Sequence, residues 1–276
     1  MSVPDALAAG DVAATQSSEA PGRLVVAWQH PIERSIQPVG FLTRTDEAFT
    51  FGYIRNALTV HDFPGLLGFD DLYRTYESSD LFPLFAQRAM DPRRPDYHRY
   101  VNSRLGLEGE PGPWEQIARS QGHREGDTIQ LFPEPTIDGD QVRCLFLVHG
   151  MRHADKSPKI INGVDASATR DQIDAALEGL EPGDELGIYP EPSNEKNPMA
   201  IVVTISPDQL IPVGWVPDLL VEDLRRLLDY APVTVKAEHV NGADAPWHLR
   251  LLARLRAAPA PGFRFFVNDK WEPLAP

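Results

Sequence analysis

The side chains able to carry chemistry are dispersed along this sequence. Of its eight histidines, only His149 and His153 lie close together. A metal centre needs three or four converging ligands, and this pair has no cysteine and no paired carboxylates beside it, so no metal is expected. The single cysteine, Cys144, rules out an intramolecular disulfide and any cysteine-based zinc site. It sits in the apolar run Cys144-Leu-Phe-Leu-Val148, where a thiol serves as core rather than nucleophile. No Gly-x-Ser-x-Gly elbow, His-Glu-x-x-His helix, phosphate loop or dinucleotide fingerprint is present. The chain is therefore read as non-enzymatic and without a cofactor. Cations remain. Arg93 and Arg94, in the loop Asp91 to Asp96, suit either an anion grip or a solvated turn. Arg250, Arg254 and Arg256 alternate with Leu249, Leu251, Ala253 and Leu255, the pattern of a strand with one basic face.

The balance of charge limits what those cations can do. The net charge is −14, which opposes non-specific binding to duplex DNA through phosphate neutralisation. The acidity is uneven. Residues 141–276 carry 14 Lys and Arg against 19 Asp and Glu, a balance of −5, while residues 1–140 carry 12 against 21, a balance of −9. A local basic surface is thus compatible with the second half. A hydrophobic content of 42% and a charged content of 24% fit a globular protein with a core. No apolar run approaches the ~20 residues of a membrane span. The N-terminus shows no basic-then-apolar leader, so a cytoplasmic location and no membrane partner are expected.

The elements follow from periodicity and turn chemistry. Met1 to about Gly22 is rich in Ala, Ser, Asp and Glu without a period and is expected to be a disordered tail. Strands are expected at Leu24–Trp28, Pro38–Thr43 and Phe49–Tyr53. Helices are expected at Leu81–Met90, Tyr97–Leu105 and Pro113–Ser120, and a strand at Thr128–Phe132. In the second half, strands are read at Arg143–Met151, Ile160–Ile161, Glu185–Tyr189, Met199–Thr204, Val213–Pro217, Val233–Val240 and Leu249–Arg256. Helices are read at Thr169–Leu180 and Asp218–Asp229, the latter with leucines at helical spacing. Phe263 to Pro276 is expected to pack back as an extended strap. The fold class is α+β in two domains, residues 23–140 and 141–276.

One stretch orders the second half: the turn at Gly183-Asp184, then Glu191-Pro-Ser-Asn194, Asn197-Pro-Met-Ala-Ile201 and Gly214-Trp-Val-Pro217. In this order they resemble the HIRAN domain, a small β-barrel found beside nucleic-acid enzymes and also alone in bacteria. The resemblance runs from about Arg143 to about Arg256. The first half loosely resembles the N-terminal subdomain of HipA-type kinases, through Pro38-Val-Gly-Phe-Leu, Phe49-Thr-Phe-Gly-Tyr and Phe82-Pro-Leu-Phe-Ala-Gln-Arg. Nothing later in the chain supplies the kinase machinery.

The HIRAN resemblance implies a site. The family's best-understood eukaryotic member captures the free 3′ end of single-stranded DNA with an Arg-Tyr pair and an Asn-Pro-Tyr-Asp loop. Here Gly150-Met-Arg-His153 stands at the first position, with Arg152 retained and His153 in place of the aromatic. Asn194-Glu-Lys-Asn197 stands at the second, with Asn194 retained, Lys196 replacing the tyrosine and Asn197 the aspartate. Lys156 and Lys159 would extend a basic rim. Tyr189 and Trp215 are candidate stacking residues but are read as core. The implied partner is a single-stranded DNA end, in DNA repair or genome defence. The alternative is an adaptor related to HipA-type systems, whose first half would meet a protein partner through an apolar patch near Phe82, Leu84 and Phe85.

Overall fold

A computed structural model describes residues 21–124, 126–156 and 158–275. The expected disordered tail therefore lies almost wholly outside the described residues. Its last two positions are pinned: the carbonyl of Pro21 accepts the Trp114 indole N–H at 2.8 Å, and that of Gly22 accepts the Arg44 amide at 2.8 Å.

The chain is α+β, with antiparallel sheets throughout. The first sheet holds β1 (Arg23–Gln29), β2 (Ile36–Arg44), β3 (Phe49–Tyr53), β4 (Tyr76–Ser78) and β5 (Ile129–Pro133), in the order β4-β3-β2-β1-β5. β1 pairs on both sides and is buried along six of its seven residues, as a central strand rich in Val, Leu and Trp should be. Next come β6 (Thr136–Asp138) and β7 (Gln141–Leu147), then a two-stranded ribbon of β8 (Ile160–Ile161) and β9 (Val164–Asp165). β10 (Glu185–Pro190), β11 (Ile201–Thr204), β12 (Pro212–Trp215), β13 (Val233–Val240) and β14 (Leu251–Ala257) complete the larger sheet, ordered β12-β11-β10-β13-β14-β7-β6.

That seven-stranded sheet curls into a half-barrel. Its two ends are not laddered together, but the chain leaving β7 closes on the free edge of β12 at one point. His149 and Trp215 exchange both backbone hydrogen bonds, each at 2.9 Å. Two glycines allow this approach. Gly150 has φ +67 and a Cβ there would lie 2.7 Å from the Trp215 ring, while a Cβ on Gly214 would lie 2.4 Å from the His149 carbonyl oxygen. The first strand of the barrel was expected to run to Met151. It ends earlier because Gly150 turns left-handed and starts a 3₁₀ turn, Met151–His153.

Among the described residues, four α-helices flank the sheets: α1 (Pro83–Ala86), α2 (Pro113–Ser120), α3 (Arg170–Glu178) and α4 (Asp218–Leu228). α3 begins in a capping box between Thr169 and Gln172. α4 buries Leu220, Leu224 and Leu227 on the face the leucine spacing defines. The helix expected over Leu81–Met90 shrinks to the single turn of α1. Tertiary contacts replace helical ones there: Arg88 is buried, ion-paired to Asp127 at 2.6 Å and donating to the Gly122 carbonyl at 3.1 Å. The helix expected over Tyr97–Leu105 is a wide π-helical turn, Arg99–Arg104.

One apolar cluster joins the sheets. Val25, Ala27, Ile54 and Phe132 of the first half pack with Val142, Phe146, Leu251 and Leu255 of the second. The division drawn between residues 140 and 141 falls in the β6–β7 hairpin, since Ile137 of β6 already pairs with Val142. A separate cluster under the first sheet takes Phe85 fully, with Phe82 and Leu84 packed against it. Of the apolar patch expected near those three residues, Phe85 is interior, while Phe82 and Leu84 are half-buried. The C-terminal segment packs back as a strap, burying Phe266 and Trp271 and bridging Pro273 to Ile54. Among the described residues, no helix is long and apolar enough to cross a membrane.

Candidate nucleic-acid interface

The bridge between His149 and Trp215 is what brings the two candidate segments together. On one side, Gly150 launches the turn carrying Arg152 and His153, with Lys156 just beyond it. On the other, the Trp215 indole N–H donates to Glu191, whose carboxylate also accepts the Asn194 side-chain amide at 2.8 Å. The Asn194 amide oxygen then accepts the backbone N–H groups of Lys196 and Asn197, both at 3.1 Å. This asparagine-organised turn, a common device for short polar side chains, holds the loop that presents Lys196.

The electrostatics show that these groups converge. His153 has a lowered pKa, caused first by burial and then by the charges of Arg152, Lys156 and Lys196; Asp155 alone opposes them. Arg152 Nε donates to His153 Nε2 at 2.9 Å, so the neutral ring carries its proton on Nδ1. Arg152, Lys156 and Lys196 are exposed, and among the described residues none of the three forms an ion pair. The neighbouring acids are engaged elsewhere, Asp155 with Arg170 and Asp218 with Asn197.

Several expected roles move. Lys159 does not extend the rim: it is fully buried, its ammonium lies 5.1 Å over the Trp215 ring, and burial lowers its pKa. Asn194 and Asn197 act inside the loop. Asn197 donates to Asp218 at 2.7 Å and accepts the Met199 amide at 2.9 Å. Arg250 is buried and paired with Asp174 at 2.8 Å, and Arg254 is bound to Glu238. The basic strand face thus reduces to Arg256. Arg93 and Arg94 are held by Asp91 and Asp96 within their own turn. Tyr189 and Trp215 are half-buried, the tyrosine hydroxyl donating to the Pro207 carbonyl at 2.9 Å.

One residue escaped the sequence reading. Trp247, 37% exposed, opens the 3₁₀ turn Trp247–Leu249, which packs against the turn Met151–His153. The guanidiniums of Arg170 and Arg250 each lie 4.8 Å from its ring, and Arg170 also donates to the Met151 carbonyl at 3.3 Å. An aromatic ring braced this way beside unpaired cations suits a base. Its signal was the Asp-Ala-Pro-Trp turn itself, where a large aromatic follows loop residues instead of lying in a strand.

A second polar cluster lies elsewhere. His30, His61 and Asp62 bring potential ligand atoms within 4.8 Å of one another, beside a cavity of about 250 Å³ lined by Trp28, Glu33 and Thr59 among others. The His30 Nδ1, however, accepts the backbone N–H groups of Ile32 and Glu33, at 3.2 and 3.0 Å. Its proton therefore sits on Nε2, the nitrogen that faces Asp62 4.0 Å away. A histidine ligating through Nε2 needs the reverse arrangement, a bare Nε2 and an Nδ1–H that donates. The cluster is a polar contact at the surface, with His30 buried and His61 and Asp62 exposed. Cys144 is buried and its thiol is pushed up to about 12 by desolvation, which suppresses the thiolate.

No family model matches this chain, and no curated protein does. Among solved structures, the crystal structure of the HIRAN domain of human HLTF aligns with it at 16% identity. The alignment covers 47% of this chain and 98% of that one, with a TM-score of 0.28.

Proposed function

We propose that this protein binds the end of a nucleic-acid single strand, without catalysis, on the surface formed by Arg152, His153, Lys156, Lys196 and Trp247. The observation that carries this reading is the convergence of three unpaired cations on His153, beside an exposed indole. Cations neutralise phosphates, and flat rings stack bases without regard to sequence. The site is small, which fits a strand end better than a long duplex, and the net charge of −14 disfavours wrapping DNA. The sequence resemblance to HIRAN domains supports the same class of ligand. Its role in repair or genome defence belongs to that resemblance.

Fluorescence anisotropy with a labelled single-stranded oligonucleotide tests the proposal. Binding should weaken between 50 and 200 mM salt, as phosphate contacts require. Arg152→Ala and Lys196→Ala should each weaken it about tenfold, since both side chains are exposed and neither holds the fold. Trp247→Ala should cost about 1–3 kcal/mol, the worth of one stacked base. Absence of binding, or binding indifferent to Arg152→Ala, would overturn the reading.

A further inference from the structure

Resting on that reading, we infer that the strand end this surface prefers is a phosphorylated one, a terminal phosphomonoester rather than a free hydroxyl. A terminal hydroxyl offers a donor and needs an acceptor to recognise it; a phosphomonoester carries about −1.5 to −2 charges and three acceptor oxygens, and needs donors. Among the described residues, the acceptors of the two loops are engaged, Glu195 excepted. The Asn194 oxygen takes two backbone N–H groups and the Asn197 oxygen takes a third, from Met199. Glu191 is buried and accepts from both Trp215 and Asn194. Asp155 is bound to Arg170, and Asp218 accepts from Asn197. Glu195 is exposed beside Lys196, yet it is not among the charges that act on His153.

What stays available is a set of donors. Arg152 spends its Nε–H on His153, which leaves the two terminal nitrogens of its guanidinium as a fork for phosphate oxygens. Accepting that bond at Nε2 leaves the His153 Nδ1–H as a further donor. Lys156 and Lys196 add two ammonium groups from opposite sides of the Trp215 bridge. The surface is therefore complementary to a dianion with several acceptors and, among the described residues, has no side-chain acceptor at its centre for a hydroxyl.

The test uses four versions of one labelled single strand, ending in 3′-hydroxyl, 3′-phosphate, 5′-hydroxyl or 5′-phosphate, titrated with the full chain at low salt. One phosphorylated end should bind about tenfold tighter than its hydroxyl counterpart, and the comparison between ends identifies which. Lys196→Ala and Arg152→Ala should abolish that preference while leaving residual binding of the hydroxyl strand. Inorganic phosphate should compete with the phosphorylated strand at concentrations where equal ionic strength of chloride does not. Equal binding of all four strands, or a preference for a hydroxyl end, would overturn the inference and leave the strand-binding proposal standing. No binding of any strand would remove both.

Discussion

Gly150 is where the fold brings the two candidate segments together, and replacing it separates two costs that the structure keeps distinct. With φ at +67, an alanine at this position enters the left-handed region, at a penalty of roughly 1–2 kcal/mol. Its Cβ would also lie 2.7 Å from the Trp215 ring, inside van der Waals contact, and relieving such an overlap typically costs about 1–3 kcal/mol. Gly139, in the β6–β7 turn, supplies the control. Its φ is +61, and nothing lies within 4 Å of an added Cβ. Gly139→Ala should therefore show the backbone penalty alone, and Gly150→Ala a total of about 3 kcal/mol. In a chain of this size each kcal/mol moves the midpoint by about 2–4 °C, so the expected drops are about 5 °C and about 9 °C. Paired thermal melts measure both, and urea titrations give the free energies. Equal losses for the two variants would refute the claim that Trp215 is pressed against the start of the Met151–His153 turn. In Gly150→Ala the strand affinity should also fall, because the displaced turn no longer aligns Arg152 with Lys196.

Two further outcomes follow from buried charge. His149 and His248 both have pKa values lowered to about 4, chiefly by burial and secondarily by nearby histidines, His123 acting on each. The unfolded chain, with histidines near 6.5, binds more protons in the window between those values, so stability is full above about pH 6.5 and falls as the pH drops towards 4. The loss is bounded at about 3 kcal/mol per histidine and is smaller for rings that retain some solvent contact. Urea midpoints between pH 7 and 4.5 should decline, and His248→Gln should flatten the slope; a pH-independent midpoint refutes this. Arg88 and Arg94 offer a contrast in ion pairing. Asp127→Ala strands the buried Arg88 guanidinium and should cost about 3–5 kcal/mol, whereas Asp96→Ala beside the exposed Arg94 should change the unfolding free energy by less than about 0.5 kcal/mol. Chemical denaturation of both variants decides it.

The sequence by itself determined the elements whose apolar residues recur with a clean period. β3 and β13 have the bounds that alternation gave them, Phe49–Tyr53 and Val233–Val240, and α2 covers the expected Pro113–Ser120. Each turns its apolar residues to a single core, β3 and α2 to the cluster under the first sheet and β13 to the one that joins the sheets, so the local pattern and the global burial ask for the same backbone. It also marked the turns of the second half, because Gly-Asp, Asn-Pro and Gly-x-Val-Pro segments restrict the backbone wherever they occur. It could not determine partnership. Whether a cation is free depends on what lies across the fold: Lys159 sinks over Trp215, Arg250 finds Asp174 76 residues away, and Arg88 ends a helix early by pairing with Asp127. Asn194 and Asn197 look like ligand contacts in a linear reading and turn out to brace their own loop. Trp247 reaches the candidate surface only because Arg170 and the Met151–His153 turn are folded against it. Periodicity is a property of neighbours in the chain, whereas the availability of a charge is set by neighbours in space, and those only the tertiary structure supplies.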